Sequence, residues 1–298
     1  MTPVRKRILI TGGSGFIGRA LVAALAANGY HCIVLSRDPG RVQPHLSPHC
    51  HALGYDVPWP PVHAVINLAG ETVVGLWTPA KRERIMNSRV EITRRLVAWM
   101  ETVSPRPVAF LSASAVGIYG HRPGERLTET SPLDRQQKFR YQVCRAWEEA
   151  ARPAADWGMR VVWLRVGNVL HSAGGYLGAL LPLYRRFPIV GLGRPEIQFS
   201  WVSLRDTVRL ILFVLERETV TGPLNVTAPY PVSQGAFTRL LAAHLGKPVR
   251  GRLPNGLIRL AFGGFADAFL DSQAIYPAGA LAQGFVFQDA DLWRAFEH

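Results

Sequence analysis

The chain reads as an α/β protein built on a doubly wound parallel sheet, and three observations carry that reading. An apolar run, Ile8-Leu9-Ile10, stops at Thr11 and gives way to glycines 12, 15 and 18, spaced three apart. Ile17, Leu21, Ala24 and Leu25 follow at helical spacing, so the glycines sit between a strand and an amphipathic helix. Short apolar strands then alternate with helical stretches as far as Val169, the pattern of parallel strands joined by crossover helices.

The glycine turn carries chemistry as well as fold. Glycine lets the backbone approach a pyrophosphate, and the start of a helix offers free N–H groups and the positive end of its dipole. Thr11, Gly12, Gly13, Ser14, Gly15, Phe16, Ile17 and Gly18 are therefore the expected dinucleotide cradle. A glycine-rich turn that binds nothing is the alternative, and the flanking strand and helix argue against it.

Composition bounds the rest. The 298 residues, 48% hydrophobic and 18% charged, suffice for one large or two small domains with a full core. The longest apolar run, Ala20–Ala27, is too short to cross a bilayer, and Arg5-Lys6-Arg7 leads into a strand rather than a signal segment. A cytoplasmic protein without membrane contact is expected. Cys32, Cys50 and Cys144 are odd in number and scattered, so no disulfide framework is expected. Net charge is +13, carried by arginines spread along the chain, with lysines at 6, 81, 138 and 247 alone. With no nucleic-acid motif beside it, that charge points to an anionic cofactor or an anionic small-molecule substrate rather than nucleic acid. His45, His49, Cys50 and His51 have no second Cys/His cluster to pair with, so no metal site is expected. Monomer and homodimer both stand.

In chain order, Asn28-Gly29 ends the first helix and His31–Leu35 is the second strand. In an NAD-binding fold, an acidic residue about twenty positions after the glycines holds the ribose 2′-hydroxyl. Ser36 and Arg37 stand there instead. A hydroxyl and a guanidinium suit a 2′-phosphate, so NADP(H) is the expected cofactor, with Arg41 assisting. A solvated arginine at a strand end is the alternative. Residues 39–63 read as a Pro- and His-rich loop around a short strand at His51–Tyr55, after which Asp56 is placed to meet the adenine. Ala64–Leu68 is a buried strand, and the small residues of Leu68-Ala69-Gly70 leave room for the cofactor at its carboxyl end. A helix runs from Pro79 to about Met100, and a strand at Val108–Leu111 leads into Ser112–Gly120. A helix covers Gln137–Ala151, and a strand at Val161–Val166 is followed by Gly167-Asn168-Val169. From Leu180 the pattern loosens. It then gives a helix at Asp206–Glu216, a strand at Leu224–Val226 and a helix from a Ser233 cap to Leu245, ended by Gly246. The cofactor domain is expected over 1–228, with 171–199 contributing to a substrate lobe, and a small C-terminal lobe domain over 229–298.

Together these motifs resemble the extended short-chain dehydrogenase/reductase superfamily. Thr11–Gly18, Asn67–Gly70, Ser112–Gly120, Leu164–Val169, Trp201–Asp206 and Gly222–Val226 carry the resemblance. It lies toward the NAD-dependent epimerase/dehydratase-like branch, sometimes named sugar nucleotide epimerase, on Leu68-Ala69-Gly70-Glu71, Trp77-Thr78, Ser88-Arg89, Cys144 with Trp147-Glu148, and Ala228-Pro229 before Pro231-Val232. The tail, with Ser272-Gln273, Pro277 and Gly284-Phe285, resembles that branch's small C-terminal domain of unknown function. The resemblance implies a Rossmann-type fold, with Leu68, Ala69, Gly70, Arg89, Arg165, Gly167, Asn168 and Val169 at the cofactor.

Family chemistry uses a Ser or Thr to polarise a carbonyl, a Tyr to move a proton, and a Lys four residues later to lower the Tyr pKa. Ser114 matches the Ser by its position on the strand. No tyrosine has a lysine four residues on. Tyr141 with Arg145 is the nearest approach, and Tyr119 is the other candidate. Ser203 and Arg205 stand where the branch usually has His and Asp. Two functions stay open. One is an NADP-dependent oxidoreductase or epimerase acting on a hydroxyl or carbonyl, with nucleotide sugars among the substrates. The other is an NADP-binding protein with a degenerate active site, a redox sensor or scaffold without turnover.

Overall fold

A computed structural model of the chain describes residues 6–133 and 138–297. Its elements begin β1 (Arg7–Thr11), α1 (Phe16–Ala27), β2 (His31–Leu35), one-turn α2 (Pro39–Val42), β3 (His51–Leu53), β4 (Ala64–Asn67), α3 (Pro79–Thr102), β5 (Ala109–Ala115), β6 (Arg122–Leu127), α4 (Phe139–Ala151), α5 (Pro153–Asp156) and β7 (Arg160–Val166). They continue with β8 (Asn168–His171), α6 (Gly175–Arg186), β9 (Ile189–Leu192), β10 (Gln198–Phe199), β11 (Trp201–Ser203), α7 (Leu204–Glu216), β12 (Gly222–Val226), β13 (Val232–Ser233) and α8 (Gln234–His244). Last come β14 (Val249–Leu253), α9 (Asn255–Phe262), α10 (Asp267–Leu270), β15 (Gln273–Ile275), α11 (Ala278–Ala282) and α12 (Leu292–Phe296).

Seven strands form one parallel sheet in the order β12-β7-β5-β4-β1-β2-β3. The strands are apolar on both faces because both faces are covered, as parallel sheets require. Ile8 and Ile10 join Ile66, Leu111 and Leu164 beneath α1 and α7, where Leu21, Leu25, Ile211 and Val214 meet them. Leu9, Val65, Phe110 and Val161 turn the other way, against Leu96, Val97 and Met100 of α3 and Ala151 at the end of α4. Strand order reverses between β1 and β4, which sets a cleft at their carboxyl ends.

The cap expected at Ser233 is present, and two more start helices α3 and α7. Thr78 accepts a hydrogen bond from the Lys81 N–H ahead of Pro79, and Ser203 and Ser233 do the same for α7 and α8. The differences have physical causes. The strand expected at Val108–Leu111 continues through Ala115, because Ser112, Ala113 and Ser114 keep pairing with β7 despite weak strand propensity. The short β6 and β8 and the Gly175–Arg186 helix are not legible in the sequence; β6 is exposed along most of its length and pairs with a strand about 150 residues away.

The second half builds its own aromatic core, in which Tyr176, Phe199, Phe237 and Phe269 pack ring against ring. It is fastened to the sheet by polar groups. Gln273 Nε2 donates to the carbonyls of Gly120 (2.6 Å) and Val116 (3.1 Å), and buried Asp206 accepts the N–H groups of Gln288 and Asp289.

Candidate active site

At the switch point, buried polar side chains tie the strands together. Thr11 Oγ1 donates to Asn67 Oδ1 (2.6 Å), and Asn67 Nδ2 donates to Thr93 Oγ1 (2.7 Å) on α3. Thr11 thus holds the β1–β4 seam rather than reaching a ligand. Beside the seam opens a cavity of about 1480 Å³, lined by Gly12, Gly13, Ser14, Gly15, Ser36, Arg37, Asp56, Leu68, Ala69 and Gly70, all named from the sequence.

The motif glycines divide into two kinds. Gly12 has φ +68°, and a Cβ there would lie 2.6 Å from the Leu68 carbonyl. A Cβ on Gly18 would lie 2.1 Å from the Gly12 oxygen. Both are forced by backbone packing. A Cβ on Gly15 would meet the Gly12 oxygen alone, at 3.1 Å, and would project into the cavity. Gly15 is also the N-cap of α1, with no side-chain cap and no acidic residue in the first turn, so the helix N–H groups stay available to an anion. Phe16 and Ile17 position the turn from behind: the Phe16 ring lies against Gly174 and Gly175, and Ile17 packs on the sheet core.

The cavity wall is basic. Among the described residues, the guanidiniums of Arg19, Arg37 and Arg41 line it without a hydrogen bond or ion pair. Asp38, the carboxylate nearest in sequence, accepts the Arg41 N–H (3.1 Å) as the cap of α2, and Ser36 Oγ accepts the Asp38 N–H (3.1 Å). Arg95 reaches over from α3 to the Tyr55 carbonyl, lies over the Trp59 ring (5.3 Å), and stands 3.8 Å from exposed Asp56. Glu71 pairs with Lys81 (2.7 Å), whose hydrogen bond holds that carboxyl below the usual carboxylate range. Arg19, Glu71, Ser88, Glu91 and Arg95 are lining residues that the sequence reading missed. The signal was a polar stripe at positions 88, 91 and 95, spaced as one face of a helix.

Several expected site residues lie elsewhere. Ser114 is 2% exposed, and its hydroxyl donates to Glu148 Oε1 (2.7 Å). Glu148 grips Arg165 through two hydrogen bonds of 2.9 Å, and Arg165 NH1 donates to Tyr119 OH (2.9 Å). Tyr119 OH in turn donates to Asn225 Oδ1 (2.7 Å). Arg165 thus faces this buried network and does not line the cavity of the glycine turn. Tyr119 is wholly buried, and that burial pushes its phenol up although Arg165 pulls the other way. Asn168 Nδ2 donates to the Ser200 carbonyl, Gly167 abuts Thr227, and Val169 is buried, so this segment shapes the lobe rather than lining the cavity. Arg89 packs its guanidinium on Gly70, donates to the carbonyls of Ile85 (2.9 Å) and Glu71 (3.1 Å), and lies 5.0 Å over the Trp147 ring. It braces the cavity wall from behind.

The tyrosine–arginine pair also needs correcting. Arg145 does hydrogen-bond Tyr141, as expected, but its stronger partner is Glu149 (2.7 Å) on the exposed side of α4, and Tyr141 is half-buried against Val116, Ile118 and Leu127. The pair that α4 turns toward Gly117, just past the end of β5, is Arg140 and Cys144: a Cβ on Gly117 would lie 3.5 Å from Cys144 Sγ and 3.7 Å from Arg140 Cβ. One residue along a helix is 100°, and the sequence reading was out by that step. Burial, with Glu148 nearby, raises the Cys144 thiol to about 11. Arg140 is bound to buried Asp271 (2.5 Å), which also faces Lys138 (3.3 Å) and His121 (3.6 Å). Ser203 and Arg205 are structural too. Ser203 caps α7 and donates to buried Asp289 (2.7 Å), and Arg205 approaches the same carboxylate (3.4 Å).

A doubly wound parallel sheet with a glycine turn, a free helix N-terminus and a cavity at the switch point defines a dinucleotide-binding protein. The chain belongs to the NAD dependent epimerase/dehydratase family, whose model matches residues 8–227, and residues 253–298 match a domain of unknown function, DUF1731. It is 34% identical over 297 residues to an epimerase family protein of Staphylococcus haemolyticus, covering 98% of each chain. Among solved structures it resembles the human epimerase family protein SDR39U1, determined with NADPH, at a TM-score of 0.89 and 29% identity over 97% of each chain. It shares the fold of the Thermus thermophilus UDP-glucose 4-epimerase, determined with NAD, at a TM-score of 0.71 and 20% identity, covering 95% of this chain and 94% of that one. These likenesses make it a short-chain dehydrogenase/reductase of the extended, epimerase-like type. No described helix is long and apolar enough to cross a membrane.

Proposed function

We propose that this protein is an NADP(H)-dependent oxidoreductase or epimerase acting on a hydroxyl or carbonyl of a small molecule. One observation carries the reading: the guanidiniums of Arg19, Arg37 and Arg41, which make no hydrogen bond or ion pair among the described residues, line the cavity into which the glycine turn opens. A pyrophosphate and a 2′-phosphate would supply the missing anions, and arginine forks match phosphate oxygens. The α1 N–H groups would take the pyrophosphate, while Arg37, with Arg41 and the Ser36 hydroxyl, would take the 2′-phosphate. The Asp38 carboxylate, turned to cap α2, would not compete for the ribose. The human relative determined with NADPH supports the same choice. The bound cofactor would supply or accept a hydride. This chain's part is to orient it, with Ala69 and Gly70 leaving room and Arg89 bracing them from behind.

A second reading, cofactor binding without turnover, is favoured by one observation. Toward the end of β5, helix α4 presents Arg140 and Cys144 and no tyrosine–lysine pair. Hydride exchange between NADPH and a panel of sugar nucleotides and small carbonyls separates the two. Exchange with any of them supports the enzyme, and stoichiometric NADPH binding without exchange supports the second reading.

A further inference from the structure

A second cavity, of about 700 Å³, lies apart from the dinucleotide cleft, between β6, β15 and the turn that carries Arg194. Its apolar wall includes Ile197 and Leu270. Arg126 and Arg194 face it from different elements, and among the described residues neither guanidinium has a hydrogen bond or an ion pair. Arg126 is held by stacking, with its guanidinium carbon 4.1 Å from the centre of the Tyr276 ring, so its N–H edges remain available. A third donor is His121. Its Nδ1 accepts the Ser272 N–H (3.0 Å), which leaves the proton of the neutral ring on Nε2.

The acidic groups do not cancel this charge. Glu125 is committed to Arg122, whose Nε donates to it at 2.6 Å. Glu196 is the remaining carboxylate on the lining, against two guanidiniums. Guanidinium forks without a carboxylate favour a phosphate or carboxylate oxygen pair.

We propose that this cavity is an oxyanion site that seats a phosphate or carboxylate group of a small molecule between Arg126 and Arg194. A chain of contacts links the site to the end of β5. Its boundary residue His121 faces Asp271, and Asp271 binds Arg140, which stands against Gly117 at the end of β5. The oxyanion is thus the part of the substrate remote from the reacting carbon. That assignment to the substrate rests on the proposed function, whereas the binding of an oxyanion does not.

The test is calorimetry on the full chain at low ionic strength, with inorganic pyrophosphate and succinate as probes, with and without saturating NADPH. One probe binds the NADPH-saturated protein at a single site, and which one binds tells phosphate from carboxylate. Arg194→Gln and Arg126→Gln each weaken that binding by about tenfold or more and leave NADPH affinity unchanged. Arg194 is exposed and makes no described contact that folding needs, so its variant keeps the test decisive. The proposal is overturned if neither probe binds the NADPH-saturated protein, or if both variants bind as the parent does. Failure of NADPH itself to bind counts against the proposed function alone. The site is then judged by Arg194→Gln on the cofactor-free chain, where undiminished binding of both probes overturns it.

Discussion

Gly15 and Gly18 belong to one motif but answer to different constraints, and substitution separates them. Gly15 has φ −77° and ψ −178°, extended backbone that any residue adopts, and its added Cβ is tight against one atom, the Gly12 oxygen at 3.1 Å. Gly15→Val should therefore fold. Its side chain would occupy the space in front of the α1 N–H groups. Loss of two charge-assisted bonds to a pyrophosphate, at about 1.5–3 kcal/mol each, is about 3–6 kcal/mol, or roughly 10²- to 10⁴-fold in Kd. A Cβ on Gly18 would lie 2.1 Å from the Gly12 oxygen and 2.7 Å from Gly13 Cα, both backbone atoms that cannot rotate away. Gly18→Ala should cost about 1–3 kcal/mol of stability by overpacking. At roughly 2–4 °C per kcal/mol for a chain of this order of size, the melting point should fall by several degrees. Calorimetry with NADPH and thermal melting followed by circular dichroism read the two effects separately. Normal NADPH binding by Gly15→Val would refute the phosphate cradle, and an unchanged melting point in Gly18→Ala would refute the close-packing account.

Arg165→Ala leaves the Glu148 carboxylate without its partner in a buried site, and should cost about 3–5 kcal/mol in urea unfolding; adding Glu148→Gln should recover part of it, and no recovery would contradict the pairing. Native protein should show no thiol reactive to a disulfide reagent at pH 8, and denatured protein three, because Cys32, Cys50 and Cys144 are all buried. Tyr141→Phe should leave NADPH binding intact and change any hydride exchange by less than about tenfold, below the 10²–10⁴ expected of a general acid. A larger loss would return Tyr141 to the reaction. Burial raises Tyr184 from 10.0 to about 12, so the unfolded chain ionises there first; stability should be whole below pH 10 and fall as pH rises from 10 to 12, and Tyr184→Phe should flatten that part of the curve.

What was legible follows from how local each signal is. The β1 strand, the glycines and α1 are contiguous, and Gly12 and Gly18 are packed against backbone where the turn requires it. The place of Arg37 on the cavity wall was legible because its position is counted from those glycines along one strand. The orientation of α4 was not. A tyrosine and an arginine four apart share a helical face, but the sequence does not say which face meets the sheet. Burial of Val143, Cys144 and Trp147 decides that against Tyr141 and Arg145. The strand of Ser114 was legible but its partners were not, because Glu148 and Arg165 approach it from elements 34 and 51 residues away. The tail was hardest: β15 pairs with β6, and Asp271 with Arg140, across more than a hundred residues.

The central claim is that Arg37 and its neighbours hold the 2′-phosphate of NADP(H), and paired calorimetry of NADPH and NADH on the parent chain and on Arg37→Ala tests it most directly. The parent should bind NADPH more tightly than NADH, and Arg37→Ala should weaken NADPH by about 10- to 100-fold, the cost of one charge-assisted contact, while NADH changes little. Equal affinity of the parent chain for the two cofactors would contradict it.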